Sequence, residues 1–312
     1  MEINIEHALT PGYQLRQYRI ERTLGGGGFS IVYLAHDMQN NRRVAIKEYL
    51  PSTQARRAGE TVESLSADTN VTFRQGIKRF FDEAAVLAKI NHPSIVQVVD
   101  FFRDNNTVYL VMKYEEGKDL RWYIKRQGGR LSEKFLRTVF PQLLLGLREL
   151  HANNLLHLDV KPANIFLRPG GKPLLLDFGA AQPAYREGRA QSAHTLTLGY
   201  APIEQHRRGH LGPWTDLYAL GASMWTCMGG KPPPASPQRA ERDKYKPAVR
   251  AFKGYYSRQL LEAVDWCLKL DQLERPQTVQ QFLDFLTQAP APEAEVGLLD
   301  RLRLSWLKKP AG

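Results

Sequence analysis

Within His157-Leu158-Asp159-Val160-Lys161-Pro162-Ala163-Asn164, three polar side chains have the types and spacing of a site that handles phosphate. Asp159 is a carboxylate, Lys161 a cation two residues on, and Asn164 an amide oxygen five residues on. Thirteen residues beyond Asn164, a second carboxylate, Asp177, lies between the apolar run Leu174-Leu175-Leu176 and Phe178-Gly179. Phosphoryl transfer needs such a set: a carboxylate to hold the acceptor hydroxyl, a cation on the moving group, and oxygen ligands for Mg²⁺. Upstream, Gly25-Gly26-Gly27-Gly28 interrupts a strand-like sequence that resumes at Ile31-Val32-Tyr33-Leu34. Backbone without Cβ atoms lets N–H groups approach phosphate oxygens closely.

Taken together, these stretches resemble the catalytic loop, metal loop and glycine-rich loop of the eukaryotic-type (Hanks-type) serine/threonine protein kinases, bacterial subgroup. Further motifs follow in the family's order. Val44-Ala45-Ile46-Lys47 matches the strand that carries the ATP lysine, and Val111-Met112-Lys113-Tyr114-Glu115-Glu116-Gly117 matches the hinge. Thr197-Leu198-Gly199-Tyr200-Ala201-Pro202-Ile203-Glu204, Asp216-Leu217-Tyr218 and Glu274-Arg275-Pro276 complete the pattern. The resemblance implies an α+β, two-lobed kinase fold with a small β-rich lobe and a larger helical one. It divides the chain into a lead-in at 1–17, a kinase domain at 18–287 (small lobe 18–113, hinge 114–118, large lobe 119–287) and a tail at 288–312.

The resemblance also implies roles. Asp159 orients the acceptor hydroxyl and takes its proton, Lys161 steadies the γ-phosphoryl group, and Thr197 meets both. Asn164 and Asp177 hold Mg²⁺, with Mn²⁺ as an alternative. Lys47 and the loop Leu24, Gly25, Gly26, Gly27, Gly28, Phe29 and Ser30 hold the ATP phosphates, and Glu83 is the ion-pair partner of Lys47. Val32 and Ala45 cover the adenine, Phe166 lies beneath it, and Met112 guards the rear of the slot. Tyr114 and Glu115 offer backbone contacts, and Asp119 holds the ribose. Asp216 caps the catalytic loop, and Glu204 pairs with Arg275.

Three departures from the pattern are visible. Ser30 stands where the third glycine is usual. Leu158 replaces the arginine that commonly precedes the catalytic aspartate and binds a phosphate on the activation segment, so activity is expected not to require phosphorylation of Ser192 or Thr195. The 35 residues between Lys47 and Glu83 exceed the family's usual crossing, and this insert, with its polar stretch 52–72, is expected to be a solvated elaboration of the small lobe, with a docking element as the alternative.

The elements that must position these groups are legible as patterns. Strands fit 18–26, 31–36, 43–48, 95–102 and 108–113, and apolar spacing fits helices ending at Asn91-His92-Pro93 and spanning 131–152. The chain has 312 residues, 43% hydrophobic, enough for a sizeable core. No run of about 18 apolar residues and no basic-then-apolar start is present, so a cytoplasmic enzyme is expected, peripheral to a membrane at most. Two cysteines without metal-type spacing read as buried thiols. The net charge of +11 is spread in small groups without interleaved aromatics, which favours a solvated basic surface over nucleic-acid binding. Residues 296–309 carry an apolar stripe (Leu298, Leu299, Leu302, Trp306, Leu307) beside basic residues, fitting a helix docked on the large lobe or on a membrane or partner. Protein substrates with Ser or Thr acceptors are expected. A pseudokinase or a small-molecule phosphotransferase remain the alternatives.

Overall fold

The strand-forming runs of the first third pair into one six-stranded antiparallel sheet. The computed structural model describes residues 7–177, 182–183, 196–207 and 209–287. The sheet contains β1 (Gln14–Leu15), β2 (Tyr18–Gly26), β3 (Ser30–Asp37), β4 (Arg42–Tyr49), β7 (Val98–Asp104) and β8 (Thr107–Lys113), in spatial order β1-β2-β3-β4-β8-β7. Alternation along β4 sends Ala45 and Lys47 to one face and Val44, Ile46 and Glu48 to the other. The lead-in packs on this sheet: Leu9 and Leu15 are buried, and the Leu9 amide donates to the Tyr33 hydroxyl at 3.1 Å.

Two expectations are corrected here. The strand expected at 95–102 starts only at Val98, because Ile95 and Val96 bridge to Leu175 of the other lobe instead. The long crossing after Lys47 is not simply solvated: it forms the hairpin β5 (Ala55–Ala58) and β6 (Thr61–Ser64), then the first turns of α1 (Ala67–Leu87). Ala55, Val62 and Phe73 are buried in the core, which a polar composition conceals. Ser66 caps α1 in a reciprocal capping box with Thr69.

The other lobe is mostly helical. β9 (Lys118–Asp119) leads into α2 (Leu120–Arg126), then α3 (Glu133–Ala152), β10 (Leu155–Leu156), β11 (Ile165–Arg168) and β12 (Lys172–Leu175). A two-residue strand, β13 (Gln182–Pro183), pairs with β10. Then follow α4 (Ile203–His206), α5 (Pro213–Gly229), α6 (Ser236–Glu241), α7 (Ala248–Ala251), α8 (Arg258–Cys267) and α9 (Val279–Thr287). Helix α3 contains Pro141, a residue that costs a helix interior about 3 kcal/mol. Leu136, Phe140, Leu143, Leu147 and Leu150 are fully buried along the same helix, at about 1.5–3 kcal/mol each. Burial wins, and the helix persists through the proline. Helix α5 is buried along nearly its whole length and forms the large lobe's centre. Cys227 and Cys267 are buried free thiols.

Candidate active site

A cleft of ≈ 810 Å³ lies between the two lobes. Asp159, Lys161 and Asn164 come to it from the loop between β10 and β11, and Asp177 from just beyond β12. Lys161 Nζ lies 2.7 Å from Asp159 Oδ2 and donates to Thr197 Oγ1 at 2.9 Å, while that hydroxyl donates to Asp159 Oδ1 at 3.0 Å. Asn164 Nδ2 donates to the Asp159 backbone carbonyl and to its Oδ2, both at 2.9 Å, which leaves the Asn164 side-chain Oδ1 for a cation. One carboxylate is thus held from three sides, with the ammonium beside it.

The loop is itself held by backbone capture. Leu158 has φ +62°, a left-handed conformation that costs a bulky residue about 1–3 kcal/mol. The fully buried Asp216, near the start of α5, accepts from the His157 amide at 2.9 Å and the Leu158 amide at 2.8 Å. Burial alone would raise the Asp216 pKa, but His151, His157 and these amides outweigh it and hold the carboxyl below its usual range. From the opposite direction the buried Gln205 of α4 donates its Nε2 to the Leu158 carbonyl at 3.0 Å. Helix α4 is in turn fixed by the buried pair Glu204–Arg275, with nitrogen–oxygen distances of 2.7 and 3.1 Å.

The other end of the cleft is a slot of apolar side chains and open backbone. Its lining contains Leu24, Gly25, Gly26, Gly27, Gly28, Phe29, Ser30, Val32, Ala45, Met112, Tyr114, Glu115, Asp119 and Phe166. A Cβ built on Gly25 or Gly27 would meet nothing within 4 Å, so the missing side chains leave room above the backbone amides. Gly117 is required by close approach: its φ is +152°, and a Cβ there would stand 2.1 Å from the Leu167 carbonyl oxygen. Asp119 caps α2 by accepting from the Trp122 amide at 3.0 Å, and Arg121 Nη2 donates to its other oxygen at 2.6 Å.

A family model for the protein kinase domain matches residues 18–285. The chain belongs to the protein kinase family. The chain is 31% identical over 283 residues to the serine/threonine-protein kinase PknA of Nostoc sp., spanning 86% of this chain and 47% of that protein. It is 32% identical over 225 residues to the serine/threonine-protein kinase PrkC of Bacillus subtilis, spanning 70% of this chain and 31% of that protein. The chain thus spans less than half the length of these two curated relatives. Among solved structures, the apo form of PpkA-294 superposes with a TM-score of 0.80 at 34% identity, covering 90% of this chain and 99% of that one.

One expected contact in the kinase domain is replaced. Among the described residues Lys47 makes its ion pair with Asp177, not with Glu83. Glu83, half-buried on α1, has its pKa pushed up to about 8. Burial is the larger influence, and the charges of Lys47 and Arg79 only partly oppose it. Asp177, at a left-handed φ of +60°, reaches the ammonium directly. Sequence reasoning missed Gln205, whose only signal was its place beside Glu204, and the contacts of residues 50–52 with the glycine loop. Phe178, Gly179, Ser192, Thr195 and the 296–309 stripe lie outside the described residues.

Proposed function

We propose that this chain transfers the γ-phosphoryl group of ATP to serine or threonine hydroxyls of proteins. The observation that carries this reading is the Asp159–Lys161–Thr197 cluster, facing the same cleft as the glycine loop and Lys47. Asp159 accepts the proton of the substrate hydroxyl, whose oxygen bonds to the γ-phosphorus as the β,γ-bridging bond breaks and ADP leaves. Lys161 sits where negative charge on the transferred group develops. Lys47 and the amides of residues 25–30 hold the phosphates. Asn164 and Asp177 would hold Mg²⁺ or Mn²⁺: two oxygen donors suit a hard cation that keeps waters and phosphates as its other ligands. The metal, when bound, neutralises phosphate charge. Incubation with labelled ATP and a generic basic protein, followed by phosphoamino-acid analysis, tests the reading. Label on serine or threonine is expected, and no transfer in the presence of Mg²⁺ or Mn²⁺ overturns it.

The finer reading is that activity does not depend on a phosphate in the activation segment. Leu158 has no donor for such a phosphate. The backbone on either side of that residue is instead held by Asp216 and Gln205, which are permanent parts of the fold. Their positions support a catalytic loop ordered without modification.

A further inference from the structure

Six consecutive residues, Lys47 to Ser52, link the cleft, the β5 hairpin, α1 and the glycine loop. Lys47 lies in the cleft. Glu48, fully buried on the opposite face, accepts from the Tyr33 hydroxyl at 2.6 Å and the Tyr109 hydroxyl at 2.7 Å, and pairs with Arg57 of β5. Tyr49 stacks on Phe73 of α1 at 5.9 Å between ring centroids, and a Cβ on Gly76 of that helix would fall 1.9 Å from its hydroxyl. Beyond Tyr49 the strand does not turn away. Past Ser30, the last ladder partner of β4, the chain runs on along the glycine loop itself. The Leu50 amide donates to the Phe29 carbonyl at 2.9 Å, and Ser52 donates to the Gly28 carbonyl from its amide at 2.9 Å and its Oγ at 3.2 Å.

We propose that residues 50–66 form a clamp that pre-orders the glycine loop for nucleotide phosphates, with Ser52 and Arg57 as positioning residues. The inference rests on the reading of the cleft as a nucleotide site. Gly27 and Gly28, just past the end of β2, form the loop's crest, and glycine loses more backbone freedom on ordering than any other residue. A free loop of this composition would have to be ordered by the ligand. Here three hydrogen bonds order it beforehand. The clamp is stiff because the hairpin behind it is anchored: Arg57 pairs with buried Glu48 and donates from Nε to the His7 carbonyl at 2.9 Å, and the Val62 amide donates to the Asn105 carbonyl at 2.8 Å. The Gln54 and Ala55 amides close the turn on the Pro51 carbonyl, which fixes Ser52 relative to the hairpin.

The test compares wild type, Ser52→Ala and Ser52→Pro by calorimetric ATP affinity, KM for ATP, kcat and amide hydrogen exchange over residues 25–30 and 50–52. Ser52→Pro removes both donors and is expected to weaken ATP binding and raise KM about tenfold, with kcat within about twofold and faster exchange in the loop. Ser52→Ala, which keeps the amide, is expected to rise about two- to threefold. Equal ATP affinity and equal loop exchange in a folded Ser52→Pro variant would overturn the clamp while leaving the nucleotide reading intact. A wild type that binds no ATP would overturn the nucleotide reading, and with it the clamp's purpose. Where Ser52→Pro does not fold, exchange in the nucleotide-free wild type decides: protected Leu50 and Ser52 amides support the clamp, and exchange at the free-peptide rate refutes it.

Discussion

Asp159 is held by Lys161, Thr197 and Asn164, so its removal strips acceptor positioning without touching the glycine loop or Lys47. Asp159→Ala is therefore expected to lower kcat by about a thousandfold, within the range for loss of a positioned base, while ATP affinity changes only a few-fold. Phosphate transfer at the wild-type rate would refute the mechanism. Glu83 makes a second prediction. Its folded pKa of about 8 lies above the ordinary carboxylate value, so the folded state keeps a proton that the unfolded chain has already lost. Stability from this group is full below about pH 4.5 and declines as pH rises towards 8. Glu83→Gln should flatten that part of the pH dependence of the melting temperature. A slope unchanged by the substitution would show that Glu83 ionises normally.

At the scale of elements, α4 and the catalytic loop form one unit. The Gln205 amide and the Leu158 carbonyl meet in a buried position, and leaving such a carbonyl unpaired costs about 1–3 kcal/mol. Gln205→Leu is expected to lower kcat about tenfold or more with KM for ATP nearly unchanged, because the displaced loop carries Asp159 and not the nucleotide contacts. An equal loss in both constants would point to general disruption instead. The same unit carries the expectation about phosphorylation. The double change Ser192→Ala and Thr195→Ala, or enzymatic dephosphorylation, should leave kcat/KM on a peptide substrate within about threefold. A hundredfold loss, about 2.7 kcal/mol of barrier, would mean that some other cation does the work of the arginine that Leu158 replaces.

For the whole molecule, the described helices end with α9, whose Phe282, Leu283 and Leu286 are buried against the large lobe. No described helix is long and apolar enough to cross a membrane. The apolar stripe at 298–307 needs a cover if it folds as a helix, and docking on the large lobe is the expected cover. Ending the chain at residue 288 should then lower the melting temperature by a few degrees. An unchanged melting temperature, with binding to anionic vesicles lost on truncation, would assign the stripe to a membrane surface instead.

The sequence by itself brought the candidate catalytic groups together, because a carboxylate, a cation and an amide a few residues apart on one loop lie near one another. Local spacing likewise placed β2 to β4, β8 and α3, where period and capping residues agree with burial. It also paired Glu204 with Arg275 and Asp216 with the catalytic loop through family resemblance, and the structure brings each pair together. Only the tertiary structure decided which carboxylate meets Lys47, since Glu83 and Asp177 compete through burial and distance, neither of which is written in spacing. The crossing after Lys47 was misleading for a related reason. Its few apolar residues, Ala55, Val62 and Phe73, are scattered among polar ones, yet each is buried against elements distant in sequence. The side chain of Arg57, a charged residue on a polar hairpin, is buried because Glu48 of β4, in the other sheet, pairs with it. Pairing across the fold, not composition, determines whether such a segment is surface or core.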